Sequence, residues 1–187
     1  MKELLQGVTL DGESGPFQRL ADADRLVDAG MEKEAISVLN GILSLPKVET
    51  RVQLWVWSAL RQLGVQPELR NALEILGVVV EVPMHGGYDT LAAYRDGSAR
   101  YLNFSGKAVF WDRPDEMMSA LGGVLFQSAA SAGSRAKPRP SVALPVSGIQ
   151  LTLLTRSGIY LVANPPTRIV QAAAALMNEL IQRAKSA

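Results

Sequence analysis

The spacing of apolar residues changes period near Gly77. Upstream it is helical: Phe17, Leu20, Ala23, Leu26 and Val27 share one face, Pro16 suits a first helical turn, and Gly30 supplies the left-handed residue that ends such a helix. A second helix is predicted with Met31, Ala35, Val38, Leu39 and Ile42 inward, stopping near Pro46. A third turns Val48, Val52, Trp55, Val56, Ala59 and Leu60 inward and ends at Gly64. A shorter fourth opens at Pro67 and carries Leu69, Ala72, Leu73 and Leu76.

From Gly77 the period falls to two. Val78 to Val82 is a nearly continuous β-branched run, as expected of a strand buried on both faces. Alternation continues through Thr90–Arg95, and Asp96-Gly97 marks a tight hairpin whose central residues both take positive φ. Ala99–Phe104 and Lys107–Trp111 follow around a Ser105-Gly106 turn, completing an antiparallel meander. Asp112 to Glu116 opens a helix, with proline and acids in its first turn and an inward stripe of Met117, Leu121, Val124, Leu125 and Ser128. Gly122-Gly123 lies inside it at up to ~1 kcal/mol per glycine relative to alanine, which predicts close approach to a sheet or another helix. Residues 129–148 read as a long Ala/Ser/Gly/Pro loop. A hairpin of Ile149–Thr155 and Ile159–Ala163 and a last helix with Ile169, Ala173, Leu176, Met177 and Leu180 inward complete the chain.

The predicted fold is α+β: N-terminal antiparallel helical hairpins, then an antiparallel sheet (meander plus C-terminal hairpin) covered by two helices. The segments are a flexible arm over 1–15, a helical hairpin unit over 16–76 and an α+β domain over 77–187.

Leu26, Gly30, Ala35 and Leu39, with Pro46 closing the second helix, have the spacing of a tetratricopeptide-type hairpin. Leu60 and Gly64 repeat Leu26 and Gly30 after 34 residues, the period of that family, so residues 17–76 resemble tetratricopeptide-like helical hairpins. Arg19 and Asp22 depart from it where large apolar residues are usual. From about residue 67, the order helix, strands, helix, hairpin, helix is similar to that of class I type III secretion chaperones, without their acidic character.

Charge narrows the possible partners. Residues 1–76 hold 8 Lys/Arg against 11 Asp/Glu, and residues 77–187 hold 11 against 7, a split too mild for a nucleic-acid surface. Cysteine is absent, which excludes thiolate nucleophiles, disulfides and cysteine-held metals. No signal-peptide-like start and no stretch near the ~18 apolar residues of a membrane span is visible, which points to a cytoplasmic protein.

His85-Gly86-Gly87 invites comparison with an esterase oxyanion loop, but His85 is the single histidine and no Gly-x-Ser-x-Gly elbow accompanies it. The simpler reading is a hairpin loop in which glycine permits positive φ. A hydrolase would need His85, Asp89 and Ser105 to converge, which their spacing does not require. Scattered carboxylates converge on no metal, there is no phosphate-cradling glycine loop, and no cofactor or catalytic residue is assigned. As a ligand-binding set, His85, Gly86, Gly87, Tyr88, Asp89, Tyr101 and Asn103 would cluster near one pocket, with Tyr94 and Arg100 on adjoining strand faces. Trp57 and the basic run Arg135, Lys137, Arg139 are partner-binding candidates, the run otherwise being a solvated loop. The sequence thus favours a protein- or peptide-binding adaptor over an enzyme. It would be a homodimer through the Gly122-Gly123 helix or the Ile169–Leu180 stripe; a small-ligand sensor and a secretion-chaperone-like dimer are the alternatives.

Overall fold

A computed structural model describes residues 15–112, 115–139 and 148–186. The predicted arm apart from Gly15, Arg113-Pro114 and residues 140–147 lie outside the described residues. The chain divides into two compact units, Met1–Val65 and Gln66–Ala187.

The first unit holds α1 (Pro16–Asp28), α2 (Glu32–Leu43) and α3 (Thr50–Gln62). Their apolar stripes meet in a core of Leu20, Ala23, Leu39, Ile42, Val52, Val56 and Leu60, against which Trp55 and Trp57 are half-buried. The 34-residue recurrence has a concrete cause. Gly30 and Gly64 take φ of +73° and +78°. The next N–H reaches back to Leu26 O at 2.8 Å after Gly30 and to Leu60 O at 2.9 Å after Gly64. Both helices therefore end in the same left-handed cap, which closes otherwise orphaned carbonyls. The predicted fourth helix shrinks to one turn, α4 (Leu69–Ala72). Leu69 and Leu73 are exposed and Leu76 belongs to the first strand, so no second complete hairpin forms.

The second unit is a seven-stranded antiparallel sheet with two long helices, an α+β fold. Its strands are β1 (Ile75–Met84), β2 (Gly87–Tyr94), β3 (Ala99–Leu102), β4 (Ala108–Trp111), β5 (Lys137–Pro138), β6 (Gln150–Thr155) and β7 (Ile159–Ala163), in the order β4-β3-β2-β1-β6-β7-β5. The segment read as a loop over 129–148 thus contributes an edge strand, and Pro138 is tolerated there because an edge position needs no ladder donor. Helices α5 (Glu116–Ala130) and α6 (Thr167–Ser186) pack on one face. Val78, Val80, Leu91, Tyr101, Leu151, Leu153 and Val162 meet Met118 and Leu125 of α5 and Ile169, Leu176 and Leu180 of α6 in one core. The β-branched run is therefore not buried evenly on both faces, since Val79 is half-buried where Val78 and Val80 are sealed.

Two local predictions change. The Asp96-Gly97 turn has positive φ at Gly97 alone, and Tyr94 N–H bonds Ser98 O at 2.9 Å, so the loop has three residues and Asp96 accepts from Ser98 N–H instead. The inward stripe of α5 is Met118, Leu125 and Ala129. Met117 and Val124, predicted inward, are 55% and 53% exposed. Asp115 fixes the start of α5 by accepting Met118 N–H at 3.0 Å and pairing with Arg183 of α6. Those two donors hold its carboxyl below the usual carboxylate range.

Candidate functional site

The polar cluster that stands out in the sequence sits at the Met84 end of β1. Met84 pairs with Gly87, so His85-Gly86 forms a two-residue turn with positive φ at Gly86. Gly87 stands at a close approach: a Cβ there would lie 3.2 Å from both the Cβ and the carbonyl oxygen of Phe104. His85 is exposed, and no hydrogen bond joins it to a hydroxyl or carboxylate among the described residues, so the geometry a hydrolase needs is not formed there. Asp89 is engaged on both oxygens, accepting from Tyr101 Oη and from Phe104 N–H at 2.9 Å each. Burial, then the hydrogen bond to Asp89, pushes the Tyr101 hydroxyl up to about 12. Asn103 Oδ1 accepts from Ser105 N–H, Ser105 Oγ and Lys107 N–H, clasping the next turn.

The tyrosines do not form one surface. Tyr101 pairs with Leu91 and belongs to the helix-covered core, whereas the alternation of β2 sends Tyr88 and Tyr94 to the opposite face. Arg100 lies on that second face, buried, over the Phe110 ring and paired with Asp112.

The basic run also separates. Arg135 and Lys137 are exposed. Arg139, expected on a solvated loop, has its side chain 6% exposed. It lies 3.1 Å from Glu81, which is 7% exposed, and also donates to Thr152 Oγ1. Arg139 thus neutralises a carboxylate that would otherwise be buried unpaired in the middle of the sheet.

Two features carry little sequence signal. The first is the outward face of α5, where Met117, Ala120, Gly123 and Val124 are exposed and Glu116 is the helix's sole charge. A Cβ at Gly122 or Gly123 would meet nothing within 4 Å, so the predicted close approach is not satisfied by any described part of the chain. The second is a cleft of about 590 Å³ at the Ile75 end of β1, between the sheet and the C-terminal turn of α5. Ile75, Phe126, Ala130, Leu153 and Tyr160 form its walls, with Arg95 and Glu74 among the residues that line it. Its lining comes from six separated segments, and the small residues Ala130, Gly133 and Ala136 that leave it open resemble ordinary loop composition. The Ile169–Leu180 stripe, the other predicted dimer surface, is consumed in the unit's own core.

Among the described residues, no group of three or more His, Asp or Glu is placed to hold a metal ion, and no helix is long and apolar enough to cross a membrane. No protein-family model, curated protein or solved structure matches the chain.

Proposed function

We propose that the chain is a non-catalytic protein-interaction module that associates with a second copy of itself through the outward face of α5. The observation that supports this reading is Gly123, an exposed glycine at the middle of that helix. It weakens the helix interior by up to ~1 kcal/mol relative to alanine, and no described residue comes within 4 Å of where its Cβ would stand. Small residues at a helix midpoint let a second helix approach closely. In a two-fold contact each α5 would meet its own copy, which puts Gly123 near the crossing point.

The flanking side chains suit such a contact. Met117 and Val124 present apolar area to solvent, and Glu116 at the helix end leaves the middle uncharged, so two copies face each other without like-charge repulsion. Sedimentation equilibrium over a wide concentration range tests the proposal. The intact protein is expected to be dimeric, and Val124→Arg monomeric with the thermal transition that the parent shows when diluted to its dissociated form. A protein that stays monomeric throughout, or a Val124→Arg variant that dimerises equally well, would rule it out.

A further inference from the structure

We infer that the cleft at the Ile75 end of β1 binds a small amphipathic monocarboxylate, its apolar body against Phe126, Leu153 and Ile75 and its carboxylate on Arg95. The volume, about 590 Å³, lies within the range of small-molecule sites, and apolar surface predominates in the lining, with polar groups from Glu74, Arg95, Gln127, Ser134, Thr155 and Tyr160. Those polar groups decide the class of ligand. Glu74 is held by Arg156 at 2.8 Å, so its charge is already neutralised. Arg95 reaches the same carboxylate only at 3.5 Å and the Ile75 carbonyl only at 3.4 Å, both at the outer limit of a useful contact, and its side chain is 56% exposed. The cation at this cleft is therefore the loosely held group, and a carboxylate offers it the paired hydrogen bonds that its planar fork favours.

The side chains of Gln127 and Ser134 also line the cleft and make no hydrogen bond to any described residue, so they can accept or donate to the head group without breaking an internal bond. A cationic amphiphile is disfavoured, because Glu74 would have to leave Arg156 to receive it. A neutral alcohol of the same length would keep the apolar contact and lose the charged one.

The test is calorimetric titration of the full chain with decanoate, decanol and decylammonium below their aggregation limits. Saturable binding of decanoate is expected, with decanol about tenfold or more weaker for want of the charge-assisted bond and decylammonium weaker still. Arg95→Gln should bring decanoate down to the level of decanol while leaving decanol unchanged, and Ala130→Phe, which fills the cleft, should remove binding of both. Absence of saturable decanoate binding to the intact protein overturns the inference, as does equal affinity for decanol. Because the three ligands are compared on the unaltered chain, a variant that fails to fold does not blunt the result. Dimerisation is read separately, so failure here leaves the α5 contact untouched.

Discussion

The chain contains two glycine pairs whose positions teach opposite lessons. Gly86-Gly87 lies beside the sole histidine and a tyrosine and draws attention, yet every peculiarity there is met within the chain. Gly86 supplies a positive φ, Gly87 lets the strand pass Phe104, and Asp89 is satisfied by Tyr101 and the Phe104 N–H. Gly122-Gly123 lies in an unremarkable apolar helix, and no described residue comes close enough to either glycine to require it. Polar groups gathered at a turn are most often engaged in holding the turn, whereas a conformational cost with no internal return points outward.

The largest effect expected comes from Arg139, the member of the basic run that was absorbed into the sheet. Arg139→Ala strands Glu81 and should lower unfolding free energy by about 3–5 kcal/mol in denaturant titration. Arg135→Ala and Lys137→Ala, at exposed positions, should stay within about 0.5 kcal/mol of the parent.

Within α5, neighbouring residues should divide sharply. Leu125→Ala, at a fully buried site, should cost about 2–5 kcal/mol, whereas Val124→Ala should leave the isolated chain nearly unchanged and act on association instead. The two glycine pairs then separate by sign. Gly87→Ala drives a Cβ onto the Phe104 backbone and should destabilise by about 1–3 kcal/mol. Gly122→Ala and Gly123→Ala should each stabilise the unassociated chain by up to about 1 kcal/mol.

The smallest effects expected are at the polar cluster itself. Tyr101→Phe removes one hydrogen bond and should cost about 1 kcal/mol. The Tyr101 hydroxyl is raised in the folded state from 10.0 to about 12, so the fold holds that proton more tightly than the unfolded chain does. Its contribution is complete below pH 10 and is lost as pH rises toward 12. Stability measured across that window should decline more steeply for the parent than for Tyr101→Phe. His85→Ala should be silent in stability to within about 0.5 kcal/mol.

The fold was largely legible because most elements have strong and distinct periods. The helical stripes of α1, α2 and α3 and the alternation of β2 and β3 carry one face apolar and the other polar, and β1 is announced by its β-branched run. Where that contrast fails, so does the reading. Helix α5 has a single charge, Glu116, so its apolar residues surround it and the period cannot say that Met118 rather than Met117 turns inward. Leu69, Leu73 and Leu76 have helical spacing, but Leu76 is drawn into β1, whose register shifts between Ile75 and Gly77 where it joins β6. Tertiary pairing overrode a short helix there. Strand β5 has two residues, one of them proline, and no local pattern announces it. The cleft is the least legible feature, because Arg95 and Phe126 are brought together only by the completed sheet and helix layer.

The most direct test of the α5 contact is the solution mass of the parent and of the Gly123→Ala variant, measured over the same concentrations with their thermal transitions at low concentration. The parent is expected to be dimeric, and the variant to be more stable as a monomer yet to dimerise more weakly. A parent that remains monomeric, or a variant that gains stability with no loss of association, would contradict the contact.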